Sequence, residues 1–443
     1  MSRAELPPGP PYPSLIQGIG LWSRPLAFLE RCRARYGKRF TVQFPMTPPF
    51  VMLTEPDQVK AIYTAPPDVL WPGEGANVLE PIVGKHSVIL LDGASHLEQR
   101  KLMLPAFHGE RVERLEGLIE TVTETEIAGW EGELELHPKL QSLTLEIILR
   151  AVFGLDPGPR LDALRSRLAA LLAFGDNPMT LLPQPSDRTL EILNRRGPLR
   201  GFLDARREID RLVFELIDER RSDSGERDDI LSMLLAARHE DGSPMTPQEL
   251  RDELMTLLVA GHETTASSLA WSFECLSRAP AALASLQDEV DGDGDAYLTA
   301  TIQETLRHRP VLPNTAPRLV KKPIEVGGWT YPPGVSLVAN GYLLHHDRDI
   351  YPDPYAFRPE RFLDSPPGTY TWIPFGGGRR RCLGASFAML EMKIVLPAVL
   401  RARSIKAVSP AHEPPRRRNI TVRPSSGARV VLAPREARVP AAA

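Results

Sequence analysis

The stretch Phe375-Gly376-Gly377-Gly378-Arg379-Arg380-Arg381-Cys382-Leu383-Gly384 sets one cysteine in a glycine-rich, strongly cationic loop that opens onto a helix. An ordinary cysteine thiol titrates near ~8.5, and neighbouring arginines and a helix N-terminus both favour the thiolate. The sequence therefore predicts a lowered pKa at Cys382. A thiolate so placed is either a soft metal ligand or a reactive nucleophile. Ten residues do not decide between the two, so the rest of the chain must.

The chain has 443 residues, 42% hydrophobic and 25% charged, with a net charge of −3. Such a composition is that of an ordinary globular protein, and the absence of a basic excess argues against a general nucleic-acid binder. Proline is the outlier, with 44 residues, roughly twice the usual ~5%. These prolines fall in connecting segments and stiffen them. Three cysteines exclude a disulfide scaffold, and Cys32 and Cys275 read as structural or incidental thiols suited to a reducing cytosol. Met1-Ser2-Arg3-Ala4-Glu5 leads directly to Leu6-Pro7-Pro8-Gly9-Pro10. No apolar secretory core precedes that hinge, and no run approaches the ~18 apolar residues of a membrane span. The expectation is a soluble, cytoplasmic protein without a membrane anchor.

No internal repeat or low-complexity linker divides the chain. Residues 38–54 alternate around Phe40, Val42, Phe44, Val51 and Leu53 and predict a hairpin. From about 96 to 310 the apolar spacing is mostly helical, as in Leu115-Leu118-Val122 and Leu143-Ile147-Ile148-Val152. Strand-like alternation returns over 318–340, with turns at Gly327-Gly328 and Pro332-Pro333-Gly334. A final strand pair is expected over 418–433 about the turn Pro424-Ser425-Ser426-Gly427, followed by frayed residues to the end. The longest helix is announced by Thr246-Pro247-Gln248-Glu249, a capping signature with proline at the first helical position. It runs to about Arg278.

Inside that helix stands Ala260-Gly261-His262-Glu263-Thr264-Thr265. Glycine costs about 1 kcal/mol against alanine in a helix interior, and threonine can bond back to the preceding turn and open it. On residues alone this is either a small-residue packing site or a functional interruption. Glu304-Thr305-Leu306-Arg307 puts an acid and a base three apart on one helical face, a pairing common on surface helices. Phe357-Arg358-Pro359-Glu360-Arg361-Phe362 adds a second arginine. His96-Leu97-Glu98-Gln99-Arg100 spaces a histidine and an arginine by one turn, which by itself fits a solvated face. No histidines show metal-site spacing.

Taken in order, Phe375-x-x-Gly378-x-Arg380-x-Cys382-x-Gly384, Ala260-Gly261-x-Glu263-Thr264, Glu304-x-x-Arg307 with Arg361, and His96-x-x-x-Arg100 resemble the motifs of the cytochrome P450 family, the haem-thiolate monooxygenases, in their soluble bacterial form. The resemblance covers nearly the whole chain and departs from the family at no catalytic position. It implies a mainly α protein with small β-sheets (α+β), the prism-shaped P450 fold. The haem would lie between the long central helix and the cysteine loop and helix. A single domain spans 1–443: a hinge, β-rich part and variable substrate loop over 1–95, a helical core over 96–310, and β-segment, cysteine loop, final helix and strand pair over 311–443.

By the same resemblance, the cofactor is haem b with Cys382 as the axial iron ligand. His96, Arg100, Arg318, Arg380, Phe375, Gly384 and Ala260 would hold or border it. Gly261 would leave room for the oxygen ligand, while Glu263 and Thr264 relay protons. Glu304, Arg307 and Arg361 would form a structural triad locking the approach to the cysteine loop. The reaction implied is O2- and NAD(P)H-dependent hydroxylation or epoxidation of a hydrophobic molecule such as a fatty acid, terpenoid, steroid or polyketide. Electrons would come from a separate ferredoxin and ferredoxin reductase, steered by Arg379 and Arg381. The alternative on the same fold is a peroxide-driven peroxygenase or an isomerase. A haem-binding sensor is a third class, disfavoured by the retained Glu263 and Thr264. The pocket would be lined by Val78, Leu79, Val88, Ile89, Leu90, Leu257, Leu258, Val311, Leu312 and Ile420. The run Arg416-Arg417-Arg418 reads as a solvated charge run in preference to a carboxylate anchor.

Overall fold

The hairpin predicted from alternation is present. Strands Arg39–Val42 and Phe50–Leu53 pair antiparallel, with Phe40 opposite Met52. They belong to a computed structural model that describes residues 6–107, 109, 113–174, 187–197, 199–223, 225, 227–292 and 294–435. Phe50–Leu53 pairs parallel with Ser336–Ala339, which pairs with Arg318–Val320 and so reaches Leu70–Trp71, completing a five-stranded sheet. Ile324–Val326 and Trp329–Tyr331 close a two-stranded ribbon over Gly327-Gly328, as the alternation over 318–340 predicts.

The C-terminal segment departs from expectation. The two strands flanking Pro424-Ser425-Ser426-Gly427 do not pair with each other. Thr421–Pro424 pairs back with Pro415–Arg418, while Arg429–Pro434 joins a sheet between Gly132–Glu135 and Arg403–Ala407. Glu413 accounts for the switch: its carboxylate accepts the backbone N–H of Ser426, Ala428 and Arg429, turning the chain from one sheet to the other. The strand Gly132–Glu135 also interrupts the expected helical stretch. Residues 436–443, expected to fray, lie outside the described residues.

The long helix runs Pro247–Leu276, 30 residues, about 45 Å at 1.5 Å per residue. Its capping box forms as predicted. Thr246 Oγ1 accepts the Glu249 N–H at 3.2 Å and the Glu249 carboxylate accepts the Thr246 N–H at 2.8 Å. Most of the helix is buried, with Leu250, Leu254, Leu258, Leu269 and Phe273 in the main core beside Leu143, Ile147 and Ile148 of the helix Leu136–Phe153. In its middle, however, Ala260 is exposed and Val259, Glu263 and Thr264 are half-buried. A central helix can show such surface only where it borders a cavity.

The helix Ala385–Ala402 carries the cysteine loop into this core through Phe387, Met392, Val395 and Leu396. It also buries Glu391. Burial lifts that carboxyl from 4.5 to about 8, against an opposing bond from Thr265, so it is held neutral. Between pH 4.5 and 8 the unfolded chain releases this proton and the folded one keeps it, so stability falls as pH rises through that window. Each unit of displacement is worth about 1.4 kcal/mol. Glu391→Gln is expected to raise the thermal midpoint at pH 8 and leave it unchanged near pH 4.5. A midpoint difference that does not grow with pH would refute this reading.

Candidate active site

The cysteine loop is moulded by contacts that only glycine permits. Gly376 and Gly378 sit at φ 66° and 63°. A Cβ on Gly378 would stand 2.4 Å from the Tyr63 carbonyl oxygen, and one on Gly377 2.4 Å from the Tyr63 ring. The turn closes where the Cys382 N–H donates to the Phe375 carbonyl at 2.9 Å, and the Phe375 ring packs edge-on against Trp372, centroids 6.0 Å apart. Gly384 caps the helix that follows.

Cys382 itself faces a cavity of about 1320 Å³, which Phe375, Arg380, Gly384, Ala260 and Thr264 also line. Here the sequence expectation is corrected. Cys382 is exposed to the cavity, yet the protein packed around it desolvates the thiol and raises its pKa, outweighing the Gly384 N–H and the Arg100 and Arg381 charges that lower it. Arginines in the sequence are visible; the desolvation of the loop they sit in is not. The uncoordinated group is thus a thiol, and a metal would be needed to deprotonate it. Burial likewise pushes Cys275 up and Cys32 to about 11, in keeping with structural thiols.

A group of cations rims the same cavity. His96 and Arg100 project from the helix Gly93–Met103, and Arg318 opens its strand. Arg318 is only 5% exposed. It lies over the Tyr63 ring at 4.5 Å and donates only to the Ala316 carbonyl, at 3.3 Å. Desolvation lowers the pKa of Arg318 and of Arg100, and burial with Arg380 and Arg100 nearby takes His96 down to about 3. Arg380 differs from expectation in having protein partners of its own. It donates to Asp92 Oδ1 at 2.6 Å and to the carbonyls of Val88 (3.1 Å) and Ile89 (3.3 Å), tying the cysteine loop to the substrate loop. A buried guanidinium without a counter-charge is costly. The donor set of Arg318, Arg100 and His96 therefore fits a group that brings carboxylates beside Cys382, as the two propionates of haem do.

On the central helix the Thr264 hydroxyl donates back to the Ala260 carbonyl at 2.7 Å, and both residues line the cavity. Gly261 borders the cavity and also lies against Ile148. A Cβ there would meet Ile148 Cδ1 at 3.1 Å, so a larger residue would require that side chain to give by a few tenths of an ångström. Glu263 sits in a network that sequence reasoning missed. Its carboxylate accepts from Gln141 Nε2 and Arg418 Nη1, each at 2.7 Å, and from Ser267 Oγ at 3.1 Å, with His137 Nε2 at 3.3 Å. Burial alone would raise its pKa, but His137 and Arg418 outweigh that and hold it at about 2. Arg418 is therefore no solvated charge; it is the ion-pair partner of Glu263.

Glu304, Arg307 and Arg361 come together as expected. Arg307 forks onto Glu304 with Nε–Oε2 2.7 Å and Nη2–Oε1 2.8 Å, both residues fully buried, and Arg361 Nε donates to Glu304 at 3.1 Å. Arg307 also donates to the carbonyls of His345 and Pro354 at 2.8 and 2.9 Å, so the triad fastens the segment 345–361 ahead of the cysteine loop.

Val78, Leu79, Val88, Ile89, Leu257, Val311, Leu312 and Ile420 all line the cavity, whereas Leu258 turns into the core and Leu90 is not in the lining. The substrate loop is held by the first turns of the central helix. Glu253 Oε1 accepts the Val88 N–H at 2.7 Å and Asp252 Oδ2 the His86 N–H at 3.0 Å. Burial lifts Glu253 to about 8, against the Val88 N–H.

Comparison with known proteins identifies the family. The cytochrome P450 family model matches residues 7–431. A provisionally named cytochrome P450 135B1 of Mycobacterium tuberculosis (strain H37Rv) is 39% identical over 441 residues, covering 97% of this chain and 92% of that protein. Cytochrome P450 138 of the same organism, named equally provisionally, is 37% identical over 432 residues, covering 97% and 96%. Among solved structures, a cyanobacterial CYP120A1 with retinoic acid bound superposes with TM-score 0.84 at 21% identity, over 98% of this chain and 100% of that one. The haem domain of cytochrome P450DA gives 0.82 at 21%, over 97% and 98%. No helix among the described residues is long and apolar enough to cross a membrane. The chain belongs to the cytochrome P450 family.

Proposed function

We propose that this protein is a haem b-dependent monooxygenase that uses O2 and NAD(P)H to hydroxylate or epoxidise a hydrophobic molecule, working in the cytoplasm with a separate ferredoxin and ferredoxin reductase. The observation that carries the reading is that Cys382 and the Ala260–Thr264 turn face one largely apolar cavity, rimmed by cations suited to two carboxylates. Bound there with Cys382 as ligand, haem supplies the oxygen-activating chemistry.

The protein's own part is positioning and proton supply. Thr264 places a hydroxyl on the cavity wall, one turn from Ala260. Glu263, ionised and held on several sides, orients Ser267 and His137 behind that wall. In this arrangement it organises the proton path, and the hydroxyl of Thr264 is the group that meets the reacting oxygen. Positioned proton transfer contributes typically ~10²–10⁴-fold. Thr264→Ala is accordingly expected to lower product formed per NAD(P)H consumed by at least about ten-fold, with the carbon monoxide spectrum and ligand binding unchanged. Undiminished coupling would remove Thr264 from the proton path.

The reading as a whole is tested by reconstitution. Turnover is expected with NAD(P)H, ferredoxin and reductase, slowing as salt is added, because the exposed Arg379 beside the cysteine loop offers an anionic partner a docking charge. Turnover with hydrogen peroxide alone and none with the electron donors would favour the peroxygenase.

A further inference from the structure

The run Arg416-Arg417-Arg418 is solvated only in part: Arg416 is exposed, and Arg417 and Arg418 are half-buried. It forms one arm of the hairpin Pro415–Arg418/Thr421–Pro424, whose turn at Asn419-Ile420 enters the cavity. Arg417 and Arg418 both border the cavity but meet different fates. Arg418 pairs with Glu263. Arg417 lines the cavity and has no carboxylate partner among the described residues. Its Nε donates to the Asn419 carbonyl at 2.7 Å, which fixes the guanidinium plane and leaves the Nη1 and Nη2 edge unpaired. Desolvation alone lowers its pKa, to about 10, so it remains a cation at neutral pH.

The haem carboxylates are not the natural partner of this charge. Other cations serve them: His96, Arg318 and Arg380 border both the main cavity and a small recess of about 40 Å³ with Tyr63 beside the cysteine loop, whereas Arg417 borders the main cavity but not that recess. It stands instead on the hairpin anchored to the central helix and to the segment after Arg307, through Trp271 Nε1 to the Val422 carbonyl at 3.0 Å and the Val422 N–H to the Val311 carbonyl at 2.8 Å. Ile82, Ile89, Leu257, Val311, Leu312 and Ile420 supply apolar wall to the same cavity.

We propose that the substrate of this enzyme is a lipophilic monocarboxylate whose carboxylate is bound end-on by the Nη1/Nη2 edge of Arg417, so that its apolar body lies along the cavity and the oxidised carbon is set by its distance from that anchor. A forked guanidinium–carboxylate pair satisfies both charges at once, and the half-buried Arg417 presents its guanidinium edge to the cavity for such a pair. The inference rests on the monooxygenase reading and narrows its substrate.

The test uses the haem-loaded protein, a panel of dodecanoic, hexadecanoic and abietic acids, and the methyl ester of each. Dissociation constants are read from the haem spin-state shift and, independently, by calorimetry. At least one acid is expected to bind ten- to a hundred-fold more tightly than its ester, the range of a hydrogen bond to a charged group. That preference should vanish in Arg417→Gln and survive in part in Arg417→Lys. Esters binding as well as acids, no panel member binding at all, or a preference that persists in Arg417→Gln would each overturn the proposal. Loss of bound haem in Arg417→Gln would also overturn it, by assigning the arginine to the cofactor. A parent protein without the red-shifted carbon monoxide band of thiolate ligation would instead refute the monooxygenase reading, before any ligand is added.

Discussion

Cys382→Ser is expected to fold, to bind haem weakly or not at all, and to lose the red-shifted Soret band of the reduced carbon monoxide complex that the parent shows. The loop around Cys382 is shaped by Gly376, Gly378 and the bond from the Cys382 N–H to Phe375, none of which needs the sulfur. Serine should therefore leave the backbone in place while removing the only thiol that lines the cavity. A hydroxyl is a poor substitute for the soft thiolate that donates electron density to iron. Turnover should fall by about 10³-fold or more, the order seen when one indispensable catalytic group is removed. A variant with the parent's band and rate would mean that Cys382 is not the axial ligand.

Glu304→Ala should be the most damaging change away from the cavity. Its carboxylate accepts two bonds from Arg307, one from Arg361 and one from the backbone N–H of Arg358 at 2.8 Å. Alanine would leave Arg307, fully buried, without its counter-charge. Breaking a buried pair in this one-sided way costs about 3–5 kcal/mol, a large part of a typical ~5–15 kcal/mol of stability. Because the triad fastens the segment leading into the cysteine loop, the loss should appear as haem-poor, aggregation-prone protein with a lowered thermal midpoint. Glu304→Gln, which keeps acceptor and donor atoms but not the charge, should fall between. Normal haem content and midpoint in Glu304→Ala would show that the triad is dispensable to the fold.

What could be read from the sequence was whatever lies within a few residues of itself. The cysteine loop, the Thr246–Glu249 cap and the Glu304–Arg307 turn are each local, and their chemistry follows from spacing. What could not be read depends on partners far along the chain. Glu263 is governed by Gln141 and Arg418, the latter 155 residues away, so its ion pair leaves no local trace. The same distance hides the difference between Arg417 and Arg418: adjacent arginines look alike until Glu263 claims one of them. Gly261 borders the cavity, and its second neighbour, Ile148 of another helix, could not be read from the local sequence. The misread strand pair at 418–433 has a similar cause. A Pro-Ser-Ser-Gly turn signals a reversal, but the carboxylate of Glu413 uses it to hand the chain from one sheet to another.

The hold of Glu253 on Val88 ties the seating of the loop that carries Val88 to the protonation of a buried acid. While the loop is seated, this acid keeps its proton up to about pH 8; once the loop lifts and water reaches it, the carboxyl returns toward its ordinary 4.5. Lifting the loop at neutral pH therefore releases a proton, and by linkage alkaline conditions favour the lifted state while mild acid favours the seated one. The Glu253–Val88 contact should accordingly loosen as the medium becomes more basic, which amide hydrogen exchange at Val88 would read as falling protection.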